Sequence, residues 1–156
     1  MNNLFTLSDL AKKQAERYVK KRSLYQTLAA TQGRAFSGII GPRGVGKTVL
    51  LQQLARDSKE SFYISVDTIG EAGLFDTAKA LEQKYGVRLL LLDEIHFVRG
   101  YAAELKKIYD FLELRVVFTS SVALSLAERA HDLSRRAILH RLWPFTFREF
   151  LEFAHG

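Results

Sequence analysis

The feature that most constrains this chain is an eight-residue stretch, residues 41–48, which reads Gly-Pro-Arg-Gly-Val-Gly-Lys-Thr. It matches the pattern G-x-x-x-x-G-K-[ST] at every fixed position. A short apolar run precedes it and a helical apolar pattern follows it, so the stretch connects a strand to a helix. Glycines let backbone N–H groups converge on an anion, and the following helix N-terminus favours negative charge. The stretch therefore predicts a phosphate-binding loop, or P-loop.

Two side chains complete the predicted site. Lys47 supplies a positive charge for the β- and γ-phosphates of a nucleoside triphosphate. Thr48 supplies a hydroxyl oxygen, which is a ligand that Mg²⁺ prefers. We therefore expect the chain to bind a nucleoside triphosphate, with ATP and Mg²⁺ as the leading choice. The predicted nucleotide contacts are Gly41, Pro42, Arg43, Gly44, Val45, Gly46, Lys47, Thr48 and Val49.

A second motif, residues 89–94, consists of four leucines followed by Asp93 and Glu94. A buried strand that ends in two carboxylates needs compensation, because an unpaired buried carboxylate is costly. A magnesium–phosphate centre supplies it. Asp93 is predicted to hold the metal together with Thr48, and Glu94 to accept a proton from, or orient, the water that attacks the γ-phosphate. The acidic pair favours ATP hydrolysis over simple binding.

The apolar run at residues 116–119 leads into three hydroxyl side chains, Thr119, Ser120 and Ser121. Ser120 or Thr119 is a candidate for sensing the γ-phosphate or positioning the attacking water, and Ser120 is taken as the site residue. Capping of a following helix, residues 122–130, explains the same hydroxyls equally well.

Arginine and histidine side chains are further candidates for residues of the predicted nucleotide site. Arg136 could stabilise transition-state charge in its own chain or in a neighbour, or it could simply begin the next strand. Arg43 is a second candidate arginine. His96 follows the acidic pair, and a supporting or surface role is predicted for it. The four histidines lack the spacing of metal ligands, so no metal cluster is predicted among them.

The apolar segments alternate between strands and helices after residue 33. Strands are predicted at residues 35–40, 62–66, 87–92, 116–119 and 137–142. Helices are predicted at residues 47–56, 72–85, 101–112, 122–130 and 146–153. The strands are continuous apolar runs, which is typical of a parallel sheet with helices on both faces. One further helix is predicted at residues 7–30, with Thr6 or Ser8 as its cap.

Composition narrows the class of protein. The 156 residues, 47% of them hydrophobic, suit one compact domain. No cysteine is present, which excludes disulfides and thiolate metal sites. No apolar run reaches 18 residues, so no membrane span is predicted, and a cytoplasmic location is expected.

The net charge is +6, and much of the excess lies between residues 11 and 22. A basic N-terminal helix could contact nucleic-acid phosphates. A solvated helix face explains the same charges. The basic residues concerned are Lys12, Lys13, Arg17, Lys20, Lys21 and Arg22.

Four segments together carry a resemblance to a known family. They are G-P-R-G-V-G-K-T, L-L-L-L-D-E-I-H, V-V-F-T-S-S and R-x7-P-F-T-F-R-E-F. The chain resembles prokaryotic AAA-type ATPases of the AAA_14 group over residues 24–153. The distinctive part is residues 142–150, which are similar to that group's Y-P-F-S-F-R-E-F signature.

The resemblance implies a three-layer P-loop fold with a five-stranded sheet in the order 5-1-4-3-2. It implies that Asp93 and Glu94 are the metal and water residues, that a hydroxyl after the fourth strand is the sensor, and that Arg136 matches the family's arginine before the fifth strand. The usual Thr-Gly-Ser-Ser at the sensor is Phe-Thr-Ser-Ser here, which leaves open which hydroxyl acts. Members continue into further helices and often carry a C-terminal region of the DUF4143 kind. The expected organisation is a basic N-terminal helix, residues 1–30, and an ATPase core, residues 31–156, without lid or C-terminal domain.

Two functions from different classes follow. The leading one is an ATP-binding and ATP-hydrolysing AAA-type domain that drives or switches an attached or associated protein, with oligomer formation allowed. The alternative is a nucleotide-gated module that binds nucleic acid through its basic helix with little or no turnover. A small-molecule kinase is disfavoured, because the acidic pair fits an ATPase better and no acceptor site is recognisable.

Overall fold

The structure, a computed structural model, describes residues 1–122, 133 and 135–155. Its strands form one five-stranded sheet in the order β2-β3-β4-β1-β5, and every pairing is parallel. The strands are β1 (Phe36–Ile40), β2 (Ser61–Ser65), β3 (Leu89–Asp93), β4 (Arg115–Ser120) and β5 (Ala137–Arg141). This is the predicted order 5-1-4-3-2 counted from the other edge, so both the α/β class and the sheet order are confirmed.

Six helices flank the sheet in the described part of the chain. They are α1 (Asn2–Ala15), α2 (Ser23–Ala30), α3 (Lys47–Asp57), α4 (Leu74–Tyr85), α5 (Tyr101–Phe111) and α6 (Phe147–His155). Short 3₁₀ turns lie at Val66–Thr68, Gly70–Ala72 and Ile95–Phe97. The helix predicted at residues 122–130 lies outside the described residues from position 123 onward. No described helix is both long enough and apolar enough to cross a bilayer.

The core consists of two apolar clusters, one on each face of the sheet. Successive residues of β3 alternate between them: Leu90 and Leu92 contact the cluster formed with α4 and α5. Leu89 and Leu91 contact the cluster formed with α2 and α3. Because side chains of a strand point alternately to opposite faces, a strand covered on both sides must be apolar throughout. This explains the uninterrupted leucine run of β3.

Helix α1 lies along the outer strand β2. The backbone N–H of Tyr63 donates a hydrogen bond to Oγ of Ser8 over 3.1 Å. Ser8 is therefore buried against the sheet and is not a helix cap, because α1 already begins at Asn2. The contact gives a hydrogen-bond partner to a backbone N–H group that an edge strand would otherwise leave exposed.

The prediction of one helix over residues 7–30 is wrong, because residues 16–22 separate α1 from α2. The buried amide of Gln53 donates hydrogen bonds to the backbone carbonyls of Tyr18 and Lys20, over 2.8 and 3.0 Å. Several basic side chains of this connection also have partners elsewhere in the fold. These tertiary contacts outweigh the local helical preference that the sequence pattern indicated.

Candidate functional site

The P-loop begins at the carboxyl end of β1 and ends at Thr48, in the first turn of α3. Gly44 and Gly46 have φ angles of 83° and 98°, in the left-handed region that favours glycine. Gly41 has a different requirement. A Cβ there would overlap the backbone carbonyl of Leu142, which follows β5. The glycines identified from the pattern thus permit the turn and its close approach to the neighbouring strand.

Lys47 is folded back over this loop. Its side chain is buried, and Nζ donates hydrogen bonds to the carbonyl oxygens of Gly41 and Pro42, over 2.7 and 2.8 Å. Burial lowers the pKa of the Lys47 amino group, whereas the nearby carboxylates of Glu94 and Asp93 act to raise it. The amino group is therefore bound to the P-loop backbone and is under the electrostatic influence of the two acids.

Asp93 is the centre of a hydroxyl network at the end of β3, and it is only 4% exposed. Its Oδ2 accepts hydrogen bonds from Thr48 Oγ1 over 2.8 Å and from the Tyr63 hydroxyl over 2.7 Å. Its Oδ1 accepts a hydrogen bond from Thr119 Oγ1 over 2.6 Å. These three donors compensate for the burial of the carboxylate. They also join the P-loop helix to β2, β3 and β4 at one point.

Tyr63 is a member of this network that the sequence analysis missed. Burial, and then the charge of Asp93, raises the pKa of its hydroxyl, so the group remains a hydrogen-bond donor. A tyrosine between two apolar residues of a strand, here Phe62 and Ile64, is a weak signal of such a role. Its partner Asp93 becomes known only when β2 is aligned beside β3.

The residues at this point fit a magnesium ion. Thr48 and Asp93 contribute hydroxyl and carboxylate oxygens, which a hard cation prefers, and their oxygen atoms already lie within 2.8 Å of each other. Thr48 belongs to the P-loop, so phosphate oxygens bound by the loop would be available as further ligands. Mg²⁺ usually binds through one or two protein oxygens in this manner.

Glu94 has an unusual backbone. Its φ is 60°, which makes it the one non-glycine residue with positive φ in the described part of the chain. Its N–H donates to Thr119 Oγ1 over 2.9 Å. Its carboxylate accepts a hydrogen bond from Ser121 Oγ over 3.0 Å and lies 3.1 Å from His96 Nε2. A glutamate with a left-handed backbone conformation is uncommon, and these surrounding contacts favour it here.

His96 connects Glu94 to Ser120. Its Nδ1 lies 3.0 Å from Ser120 Oγ, which also accepts a hydrogen bond from the N–H of Val122 over 3.1 Å. Because a carboxylate only accepts hydrogen bonds, Nε2 must carry the proton shared with Glu94. The other ring nitrogen, Nδ1, is the one that contacts the Ser120 hydroxyl. His96 is therefore part of the acidic cluster, in the supporting position that the sequence analysis allowed.

The two candidate hydroxyls differ in their contacts. Thr119 contacts the carboxylate of Asp93, whereas Ser120 contacts His96 and caps the backbone at Val122. Ser121, not selected from the sequence, contacts Glu94. All three hydroxyls therefore lie around the acidic pair.

A cavity of about 560 Å³ adjoins the P-loop, and neither member of the acidic pair lines it. Its size suits a small-molecule ligand. Side chains from the α1–α2 connection and from the C-terminal part of the chain form much of its wall. Of the lining residues, the sequence analysis assigned only those of the P-loop and Val49 to nucleotide binding. The lining residues are Arg17, Tyr18, Val19, Lys20, Arg22, Gly44, Val45, Gly46, Val49, Leu50, Gln53, Phe145 and Phe153.

Arg136 is not brought to this site. It immediately precedes β5, and the first residue of β5 is aligned with Phe36 at the start of β1. Arg136 therefore lies at the end of the sheet where these strands begin. The P-loop lies at the opposite end of the strands, roughly 20 Å away along the strand direction. Arg136 Nε instead lies 3.1 Å from Asp110 Oδ1. Within one chain, Arg136 therefore lies too far from the P-loop to contact a nucleotide bound there. Of the predicted alternatives, contact with the nucleotide of a neighbouring copy is the one that this position leaves open. Arg43 is exposed on the P-loop surface.

The basic residues near the N-terminus do not form one helical face. Lys20 Nζ donates to the carbonyl of Phe153, and Lys21 Nζ lies 2.7 Å from Asp57 Oδ2. Arg22 is buried and paired with Glu149. Intramolecular contacts thus account for a large part of the local charge that the sequence analysis considered for nucleic acid.

Comparison with known proteins places this geometry in a family. A sequence model of the AAA_14 family, described as an AAA domain, matches residues 34–151. The chain is 38% identical over 127 residues to the uncharacterized protein MJ1637 of Methanocaldococcus jannaschii, a match that covers 72% of this chain and 27% of that protein. It is also 30% identical over 108 residues to a shikimate kinase of Nitrosococcus oceani, covering 67% of this chain and 50% of the kinase. The chain therefore spans about a quarter and a half of the lengths of these relatives.

The fold is also similar to that of a solved structure. The S. cerevisiae Hsp104–casein complex, in its extended conformation, superposes with a TM-score of 0.66 and 19% sequence identity. The match covers 94% of this chain and 31% of the Hsp104 chain. At this identity the likeness shows a shared P-loop fold.

Proposed function

Because the chain belongs to the AAA_14 family of AAA domains, we propose that it binds ATP with Mg²⁺, hydrolyses it, and thereby drives or switches an attached or associated protein. One observation carries the proposal. Thr48 of the P-loop helix and Asp93 of β3 share a hydrogen bond of 2.8 Å, and Glu94 follows directly. Phosphate-binding, metal-binding and water-activating groups are thereby adjacent in one site.

In this proposal the triphosphate lies along the P-loop. Backbone N–H groups of the loop and the N-terminus of α3 bind its oxygens. Lys47 exchanges its two carbonyl partners for the β- and γ-phosphates. Thr48 and Asp93 hold Mg²⁺, which when bound neutralises charge on the phosphates and on the leaving group.

Glu94 is proposed to orient the attacking water and to accept its proton. Ser121 and His96 hold its carboxylate, and Ser120 in turn holds His96. Thr119, bound to Asp93 and to the Glu94 N–H, is the hydroxyl best placed to respond to changes at the metal. Ser120 acts in this scheme through His96.

The nucleoside is proposed to occupy the cavity beside the P-loop, where Tyr18, Val49 and Phe145 offer apolar surface. Arg136, at the far edge of the sheet, is proposed to reach the nucleotide of a neighbouring copy. This part of the proposal requires an oligomer.

Phosphoryl transfer to a small hydroxyl compound is the competing reaction, in view of the shikimate kinase relative. Such a transfer requires no carboxylate that activates a water molecule. Glu94, held by two side chains beside the P-loop, supports hydrolysis instead.

The proposal is tested by phosphate release from ATP with water as the only acceptor, in the presence and absence of Mg²⁺. We expect Mg²⁺-dependent turnover that Glu94→Gln lowers by about 10²-fold or more, with ATP affinity retained. The exposed Glu60→Gln serves as the control. Activity equal to wild type in Glu94→Gln would contradict the assigned role. ADP formation only when shikimate is added would favour the kinase.

A further inference from the structure

The buried residue of helix α6 is a charged one. Glu149 is 8% exposed and Arg22, its partner from the α1–α2 connection, is 7% exposed. Arg22 Nε and Nη2 donate hydrogen bonds to Oε1 and Oε2 of Glu149, each over 3.0 Å. The aromatic residues Phe147 and Phe150 of the same helix are exposed. Polar pairing rather than apolar burial therefore holds the helix in place.

The remaining donors of Arg22 reach the P-loop and the segment before α6. Nη1 donates to the carbonyl of Val45 over 2.8 Å, and Nη2 also donates to the carbonyl of Trp143 over 2.7 Å. The guanidinium lies 4.5 Å from the ring centre of Phe145. One side chain thus connects the N-terminal part of the chain, the P-loop and the signature segment, residues 142–150.

The same contacts shape the cavity beside the P-loop. Arg22, Val45 and Phe145 line it, and so does Phe153 of α6. Phe145 and Phe153 pack with their ring centres 4.8 Å apart, and Lys20 donates to the Phe153 carbonyl. The position of α6 therefore sets one wall of the cavity.

We propose that Glu149, acting through Arg22, positions the P-loop and the cavity wall, so that nucleotide binding and the docking of α6 are coupled. Glu149 and Arg22 are positioning residues in this scheme, since neither needs to touch the triphosphate. The inference rests on the proposed ATP binding and extends it to regulation. Because coupling is reciprocal, a partner that displaces α6 weakens nucleotide binding, and nucleotide keeps α6 docked.

Nucleotide affinity provides the first test. We expect Glu149→Gln to raise the Kd for ATP with Mg²⁺ about tenfold, because Arg22 loses the ion pair and one of the two acceptor oxygens that orient it toward Val45. The control is the Arg148→Gln, Glu152→Gln double variant, which removes an exposed ion pair of the same helix. Unchanged affinity in Glu149→Gln would overturn the inference.

A second variant addresses loss of folding. Replacing a buried ion pair by apolar residues of similar size generally preserves the fold. The Arg22→Met, Glu149→Leu double variant therefore keeps a packed α6 but removes the donor to Val45. We expect it to melt cooperatively and still to bind ATP about tenfold more weakly. Wild-type affinity in this folded variant would contradict the role of Arg22.

Amide hydrogen exchange tests the coupling to α6 separately from ATP binding. In wild type, we expect ATP with Mg²⁺ to slow amide exchange both in the P-loop and in α6. In Glu149→Gln, saturating nucleotide should protect the P-loop but no longer α6. Protection of the wild-type P-loop without protection of α6 would refute the coupling and leave ATP binding intact. Absence of any ATP binding by wild type would instead refute the proposed function, and the inference with it.

Discussion

His96 Nε2 lies 3.1 Å from Oε2 of Glu94. The ring can occupy only one orientation while its other nitrogen bonds Ser120 Oγ. The orientation of the proposed water-activating carboxylate therefore depends on an imidazole two residues along the chain, and this dependence can be measured.

Removing the imidazole should slow turnover without weakening ATP binding. We expect His96→Ala to lower kcat at least tenfold with little change in KM, because Glu94 loses one of the two side chains that orient it. His96→Gln, whose amide can donate a similar hydrogen bond, should recover part of the loss. His155→Ala is the control, since His155 is exposed at the end of α6. An equal loss of kcat and gain in KM would point to a general structural role instead.

Lys47 should account for most of the stabilisation by nucleotide. A ligand at 100 times its Kd adds about 2.7 kcal/mol to the free energy of unfolding. We expect ATP with Mg²⁺ to raise the melting temperature of wild type and to leave Lys47→Ala nearly unchanged. The exposed Lys59→Ala should respond as wild type does. A full nucleotide-induced shift in Lys47→Ala would exclude the proposed phosphate contact.

Tyr63 should contribute to stability through Asp93. Its hydroxyl donates over 2.7 Å to a buried carboxylate, so Tyr63→Phe leaves that oxygen with one donor fewer. We expect a loss of about 1–3 kcal/mol in the free energy of unfolding, measured by urea denaturation. Tyr85→Phe removes a hydroxyl from a half-exposed residue and should change stability little. Similar values for the two variants would show that the Tyr63–Asp93 bond contributes nothing measurable.

The Arg22–Glu149 pair predicts a pH dependence of stability. The hydrogen bond from Arg22 lowers the pKa of Glu149 to about 2, from an ordinary value of 4.5. Since the folded state has the lower pKa, the contribution is fully present above about pH 4.5 and is lost as the pH falls toward 2. The difference in melting temperature between wild type and Glu149→Gln should shrink across this window. A difference independent of pH would indicate that the ionised pair contributes no stability. Asp57, whose pKa is also lowered, is present in both proteins, so its contribution to the pH dependence cancels in the difference.

Arg136 should act on nucleotide only between copies of the chain. We expect Arg136→Ala and Glu94→Gln each to lose turnover alone, and a mixture of the two to regain part of it, because some sites then combine an intact Glu94 with an intact Arg136. Asp110→Asn removes the ion-pair partner of Arg136 and controls for that contact. A mixture no more active than its components would remove the proposed role between subunits.

Much of the site was predictable because its determinants are local. The P-loop requires glycines and a lysine at set spacings, and the leucine run before Asp93 and Glu94 predicts a buried strand ending in acid. The position of Arg136 was also readable in principle. A residue that directly precedes a strand of a parallel sheet lies at the edge opposite the loops that follow the strands.

The break between α1 and α2 was not predictable from the same kind of pattern. Residues 16–22 have helical spacing, but Gln53 binds their carbonyls and Glu149 binds Arg22, and both partners are distant in the chain. The hydroxyl of Tyr63 likewise finds Asp93 only through the pairing of β2 with β3.

By itself, the sequence determined the alternation of strand and helix segments along the chain, the phosphate-binding loop and the acidic pair, because each depends on neighbours within a few residues. The tertiary structure decided which side chains meet: Thr48 and Tyr63 at Asp93, His96 between Glu94 and Ser120, and Arg22 between the P-loop and α6. Such meetings depend on the lateral order of strands and on burial. A buried charge or hydroxyl selects whichever partner the packed fold brings within hydrogen-bonding distance.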